Sequence, residues 1–101
     1  MTPIQTSTPP SGIRALRQLP GVGPAVARDL VALGVRQPAD LRGRDPDVLY
    51  ERLIEIAGGP VDRCMLYTLR CAIYAAEDGP HDPELMRWWA WSDANLARRR
   101  A

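Results

Sequence analysis

The chain has 101 residues, 46% apolar and 25% charged, which supports one small domain with a real core and excludes a two-lobed enzyme with a cleft between lobes. No apolar run approaches the roughly 20 residues that span a bilayer, the N-terminus lacks the basic start of a signal peptide, and two cysteines cannot staple a secreted scaffold. The net charge of +1 hides an asymmetry: residues 1 to 44 carry six arginines against Asp29 and Asp40, a balance of +4, residues 45 to 97 carry −6, and Arg98, Arg99 and Arg100 return +3.

These limits point to a cytoplasmic protein with reduced thiols and no membrane partner. An anion partner prefers the first half or the arginine end. The chain contains no lysine, so every cation is a planar guanidinium suited to phosphate or carboxylate. A lysine-free, alanine-rich composition is also what genomic base bias produces, and that is the reading we prefer.

Residues 1 to 11 hold prolines, threonines and serines without an apolar period and read as a disordered tail. Ser11 caps a first helix with Ile13, Leu16 and Leu19 at three-residue spacing, and Pro20 stops it. After Gly21, Val22 and Gly23, Pro24 takes the first position of a second helix whose face is Val26, Ala27, Leu30 and Val31, ending at Gly34. A short helical turn follows over Pro38 to Leu41. Asp45 and Pro46 start a third helix through Leu49, Leu53 and Ile56 to Gly58.

The fourth and longest helix is expected over residues 60 to 77. Its apolar arc, from Cys71 and Cys64 round to Ile73 and Leu66, exceeds half the circumference, which makes it the central buried element. Arg63, Arg70 and Glu77 fall on its wet side, and Tyr67 and Tyr74 lie at the border with their hydroxyls in water. Asp82 and Pro83 start a last helix bearing Leu85, Trp88, Trp89 and Trp91, with Trp88 and Trp91 on one face. Ser92 or Asp93 caps a frayed extension, and residues 98 to 101 form a basic tail. No strand is expected, so the fold class is all-α, with about five short helices.

The segment from Leu19 to Pro24, set between two amphipathic helices, resembles the helix-hairpin-helix motif. Two glycines permit backbone angles that a side chain forbids and leave the surface bare, while Val22 points into the groove between the helices. Amides of Gly21, Val22, Gly23, Ala25 and Val26 then face outward at a helix N-terminus, where an anion is favoured. Arg14, Arg17 and Arg28 flank them as guanidinium forks. Such a site reads phosphate, not bases, so the implied partner is DNA backbone without sequence preference. Pro24 supplies no N–H, and Ala25 stands where related motifs often carry a lysine. The alternative is a protein-interaction domain whose hairpin only packs two helices.

The pattern continues through Leu33 to Val35, Ala39 to Leu41, Asp45-Pro46 and Leu49 to Leu53. With Gly59 to Cys64, Leu69 to Ala72 and Asp82 to Leu85 before Trp88-Trp89, the chain resembles the small bacterial "pathogenicity locus" family over about Ile13 to Asp93. Members are sometimes labelled mitomycin-resistance-like, and the family resembles the C-terminal domain of TfoX-type competence regulators. The resemblance implies a SAM-like helix-hairpin-helix unit over residues 12 to 97, its second half a helical cap, and no settled activity.

Catalysis finds little support. One histidine, His81, with no serine or carboxylate cluster placed beside it leaves no acid-base or nucleophilic set, and no small-molecule substrate or cofactor is implied. Cys64 and Cys71 lie about 10.5 Å apart along a helix, too far for a disulfide, and with His81 they leave a zinc site one ligand short. Both read as small buried hydrophobes, and Asp82 as a cap. Aromatic side chains can stack on unpaired bases, but the tryptophans read as core or helix-docking mass, with one left exposed for a partner.

Overall fold

Aspartate and proline place most of the helix starts. Asp45 Oδ1 accepts from the Asp47 amide at 2.9 Å, Asp62 Oδ1 from the Cys64 amide at 2.8 Å, and Asp82 Oδ1 from the Glu84 amide at 2.9 Å. Each satisfies an amide that a first helical turn leaves without a partner. The structure is a computed structural model describing residues 10–100, and it is all-α. It comprises α1 (Pro10–Arg17), α2 (Pro24–Ala32), α3 (Pro46–Ala57), α4 (Arg63–Ala76) and α5 (Asp93–Arg100), with 3₁₀ turns over Pro38–Leu41, Pro83–Met86 and Trp88–Trp91. Among the described residues there is no strand.

Of the tail expected over residues 1 to 11, residues 1 to 9 lie outside the described residues. Pro10 and Ser11 already belong to α1, so the helix starts one residue ahead of its expected cap. The basic end expected as a tail is helical through Arg100, with Ser92 Oγ accepting from the Asn95 amide at 3.2 Å.

The longest helix lies at the centre, as its wide apolar arc requires. Met65, Leu66, Thr68, Leu69, Cys71, Ala72, Ile73 and Ala76 of α4 are all buried. Leu16 of α1, Leu30 of α2, Leu41 of the first 3₁₀ turn and Leu49 and Leu53 of α3 join them in the core. The first half therefore packs on α4 as one body. Arg42 fastens the far end: its Nε donates to the Ala76 carbonyl at 2.7 Å, a cation placed on the last turn of α4, and its Nη2 meets Asp78 at 3.0 Å. Tyr50 hydroxyl donates to the Val61 carbonyl and ties α3 to the start of α4.

The segment after Pro83 departs from expectation. One helix was expected through Trp91; instead two 3₁₀ turns meet at an extended Arg87, φ −102° and ψ 125°. The reason is the Leu85 carbonyl, which a continuous helix offers to the Trp89 amide. Here it accepts from the Trp91 indole Nε1 at 2.8 Å and from Cys71 Sγ at 3.6 Å. Even so, Trp88 and Trp91 are half-buried while Trp89 is 52% exposed.

Candidate nucleic-acid interface

The hairpin joining α1 to α2 is built from its buried leucine and valine outward. Leu19 and Val22 sink into the core, and the Val22 amide donates to the Leu19 carbonyl at 3.1 Å, closing the turn. That amide is committed internally, so Val22 leaves the set of amides expected to face a phosphate. Its side chain does enter the core beside α1 and α2.

The two glycines have different reasons to be glycine. Gly21 adopts φ +77°, the left-handed region that side chains disfavour. A Cβ there meets Thr68 Cγ2 and the Cβ and Cδ1 of Trp88, each at 3.4 Å. Gly21 thus backs onto α4 and the tryptophan turn, and that face is not bare. Gly23 has φ −94° and ψ −171°, extended backbone open to any residue, with nothing within 4 Å of a Cβ. The expectation that both glycines serve forbidden angles holds for Gly21 only; at Gly23 a side chain meets open space.

Gly23 is also the N-cap of α2, and it offers no side-chain cap. Among the described residues, the amides of Gly21, Gly23, Ala25 and Val26 have no hydrogen-bond acceptor, whereas the Ala27 amide donates to the Gly23 carbonyl at 2.9 Å. Three of these donors, on Gly23, Ala25 and Val26, stand at the positive end of a nine-residue helix. Arg14 and Arg17 are exposed in the last turn of α1, which leads into the hairpin, and Arg28 is exposed in the second turn of α2. None of the three is ion-paired among the described residues. Asp29, beside Arg28, is exposed as well.

A second charged cluster was not foreseen. Asp93, at the start of α5, receives Arg63 Nε at 2.8 Å and Nη2 at 3.1 Å, Arg70 Nη1 at 3.0 Å and the Tyr67 hydroxyl at 3.2 Å. The Arg63 and Arg70 guanidiniums hold its carboxyl well below the usual carboxylate range, and Asp93 in turn pushes Arg63 up. Arg70 was expected on the wet side, yet its side chain is only 12% exposed and also donates to the Trp91 carbonyl at 2.9 Å. Tyr67 and Tyr74 keep their border positions, and their hydroxyls also bond protein: that of Tyr74 accepts from the Asp82 amide at 2.7 Å. This cluster clamps α5 onto α4 and borders a groove of about 460 Å³. Only the thirty-residue separation in sequence kept it from view, since each member is an ordinary surface type.

The cysteines divide. Cys71 is buried, and burial pushes its thiol up to about 11. Cys64, expected to be buried too, is exposed at the capped start of α4, where the Asp62 carboxylate raises its pKa. His81 Nε2 donates to the Tyr74 carbonyl at 3.1 Å, a loop residue held by its neighbour. Among the described residues no group of three or more His, Cys, Asp or Glu converges to hold a metal. Among the described residues no helix is long and apolar enough to cross a membrane.

The architecture defines a small all-helical domain organised around one central helix, with a glycine hairpin at one edge. The chain belongs to the pathogenicity locus family, whose profile matches residues 10–97. It is similar to the mitomycin resistance protein McrB of Streptomyces lavendulae, 39% identical over 77 residues that make up 76% of this chain and 70% of that protein. No solved structure matches significantly.

Proposed function

We propose that this protein is a binding protein rather than an enzyme, a non-sequence-specific DNA-binding module or accessory factor with a helix-hairpin-helix that takes backbone phosphate. The observation that carries the reading is the uncapped start of α2: amides of Gly23, Ala25 and Val26 without acceptors, beside a glycine with open space around it. Phosphate satisfies such amides and meets the helix dipole. Arg14, Arg17 and Arg28 neutralise neighbouring phosphates. With so few contacts, affinity falls at about 10⁻⁴ to 10⁻⁶ M at physiological salt.

The test is a fluorescence-anisotropy titration of labelled duplex DNA at low and moderate salt, native protein against Gly23→Val. Gly23 is the position to change, because its backbone accepts valine and its surroundings are empty. Binding with a negative salt slope that the folded variant loses supports the proposal. Equal binding by both, or none by either, overturns it.

A competing reading makes the hairpin structural and the domain a protein-interaction module. Gly21 packed on Thr68 and Trp88 favours it, as does the near-neutral pI of 7.8. Retention on heparin at low salt separates the two, since the interaction module flows through. Likeness to a relative named for mitomycin resistance extends the proposal to the cell: loss of the gene lowers survival on that drug, and unchanged survival removes the extension.

A further inference from the structure

Gly21 touches the tryptophan turn, so what lies beyond Trp88 lies beside the hairpin. A Cβ at Gly21 is 3.4 Å from Trp88 Cδ1, and the Trp88 ring packs against that of Trp89 with centroids 5.7 Å apart at 86°. Trp89 is 52% exposed, the largest aromatic surface left to solvent among the described residues. The Arg87 guanidinium stands 5.9 Å from its centroid. Trp89 also forms a wall of a shallow recess of about 350 Å³ that takes in Asn95, Arg98, Arg99, Asp82 and Glu84.

The chemistry of this recess is mixed in a particular way. Its wall is an indole, on which any base can stack. Two guanidiniums, of Arg98 and Arg99, face two carboxylates, and one of these, Glu84, is already met by Arg87 at 3.6 Å from outside the recess. Arg99 is held by its donation to the Ala90 carbonyl and by the Trp91 ring, 5.0 Å from its centroid, while Arg98 is ion-paired with nothing among the described residues. Asn95 is fixed by donating to the Trp89 carbonyl at 2.8 Å. An aromatic face, a fixed amide, carboxylate acceptors for exocyclic amines and two guanidiniums, one of them not ion-paired among the described residues, fit a nucleotide better than an apolar peptide or a lone anion. The volume lies within the usual range for small-ligand recesses, about 300–1,000 Å³.

We infer that Trp89 and its recess receive an unpaired nucleobase whose neighbouring phosphates sit on the hairpin, so that single-stranded or locally unpaired DNA is preferred over closed duplex. This rests on the phosphate reading of the hairpin and adds the substrate class to it. In closed duplex both faces of each base are covered by neighbours, and Trp89 has nothing to stack on. An unpaired strand offers its bases freely, and a platform adjoining a phosphate site engages base and backbone of the same short stretch.

The experiment titrates three labelled probes of equal length: oligothymidylate, an abasic strand with the same phosphates, and a closed duplex. The proteins are native, Trp89→Ala, Trp89→Phe and Gly23→Val, each checked for folding by circular dichroism. Native protein should favour oligothymidylate over the abasic strand by about 5- to 150-fold, the worth of one stacked base. Trp89→Ala should bring the two together and leave duplex binding unchanged, Trp89→Phe should restore most of the preference, and Gly23→Val should weaken all three probes. Equal binding of thymidylate and abasic strands by native protein overturns the inference without reference to any variant, and the phosphate reading then stands if Gly23→Val still weakens both. Unchanged thymidylate binding by Trp89→Ala overturns it likewise. Failure of every probe to bind native protein overturns the inference and the phosphate reading together.

Discussion

Replacing Gly21 with alanine and, separately, Gly23 with alanine tests whether the two hairpin glycines do different work. At Gly21 the backbone sits at φ +77°, where a non-glycine residue costs about 1–2 kcal/mol. The new Cβ meets Thr68 and Trp88 at 3.4 Å, ordinary contact that adds little strain. At Gly23, φ is −94° and the space is open, so alanine gains about 0.4–1 kcal/mol by restricting the unfolded chain. It also loses the helix-start preference for glycine over alanine, of similar size and opposite sign. The net at Gly23 is within about 0.5 kcal/mol of zero. For a domain of this length, 1 kcal/mol shifts Tm by about 4–8 °C. Gly21→Ala should therefore melt several degrees below native and unfold at lower urea with an unchanged slope, while Gly23→Ala tracks native. Urea titrations followed by tryptophan fluorescence measure both. Equal destabilisation, or a larger loss at Gly23, refutes the assignment of one glycine to conformation and the other to open surface.

Leu69→Ala, at a fully buried position on α4, should cost about 2–5 kcal/mol in the same assay, and a loss under 1 kcal/mol places the core elsewhere. Asp93 has a folded pKa below its unfolded value of about 3.9, so its contribution is present above that value and fades as the pH falls through the folded one. The stability gap between native protein and Asp93→Asn should accordingly be widest near pH 7 and close below pH 4; a gap constant with pH contradicts the clamp. At pH 8 iodoacetamide should modify Cys64 alone, because Cys71 is buried with its thiol pushed up to about 11. A second thiol should react only in urea, as mass spectrometry counts directly. Arg17→Ala should lower the salt slope of duplex binding by about 1 without altering the preference among sequences.

Where local chemistry decides, the sequence was readable. The Asp45 and Asp82 caps are short-range devices whose partner lies two residues away; α4, expected from residue 60, starts instead at Arg63 behind an Asp62 cap, while its central place follows from its own apolar arc. Within the hairpin, the left-handed Gly21 was foreseeable, but its contact with Trp88 was not, because sixty-seven residues separate the two. The same limit broke the expected tryptophan helix, since the Leu85 carbonyl is taken by an indole and a thiol rather than by the backbone. Arg70 was misplaced for a related reason: a wheel assigns it to water, and α5 returns with Asp93 to cover it. The Gly23, Ala25 and Val26 amides were legible from the glycine-proline order alone, whereas Val22 lost its place to a turn bond that only the folded chain displays.

The placing of α4 also governs how the molecule comes apart. Residues from α1, α2, the first 3₁₀ turn and α3 share one buried cluster with α4, while the tryptophan turns and α5 grip its remaining sides through Cys71, Arg63 and Arg70. Both halves of the chain pack on this one helix. The two halves must therefore melt together, and the interior amides of α4, around Leu66 to Ala72, exchange with heavy water only when the whole domain opens. A protease that nicks the loop after α3 parts α1 to α3 from the wall they lean on and strips α4 of the cover they give it, so neither fragment lasts.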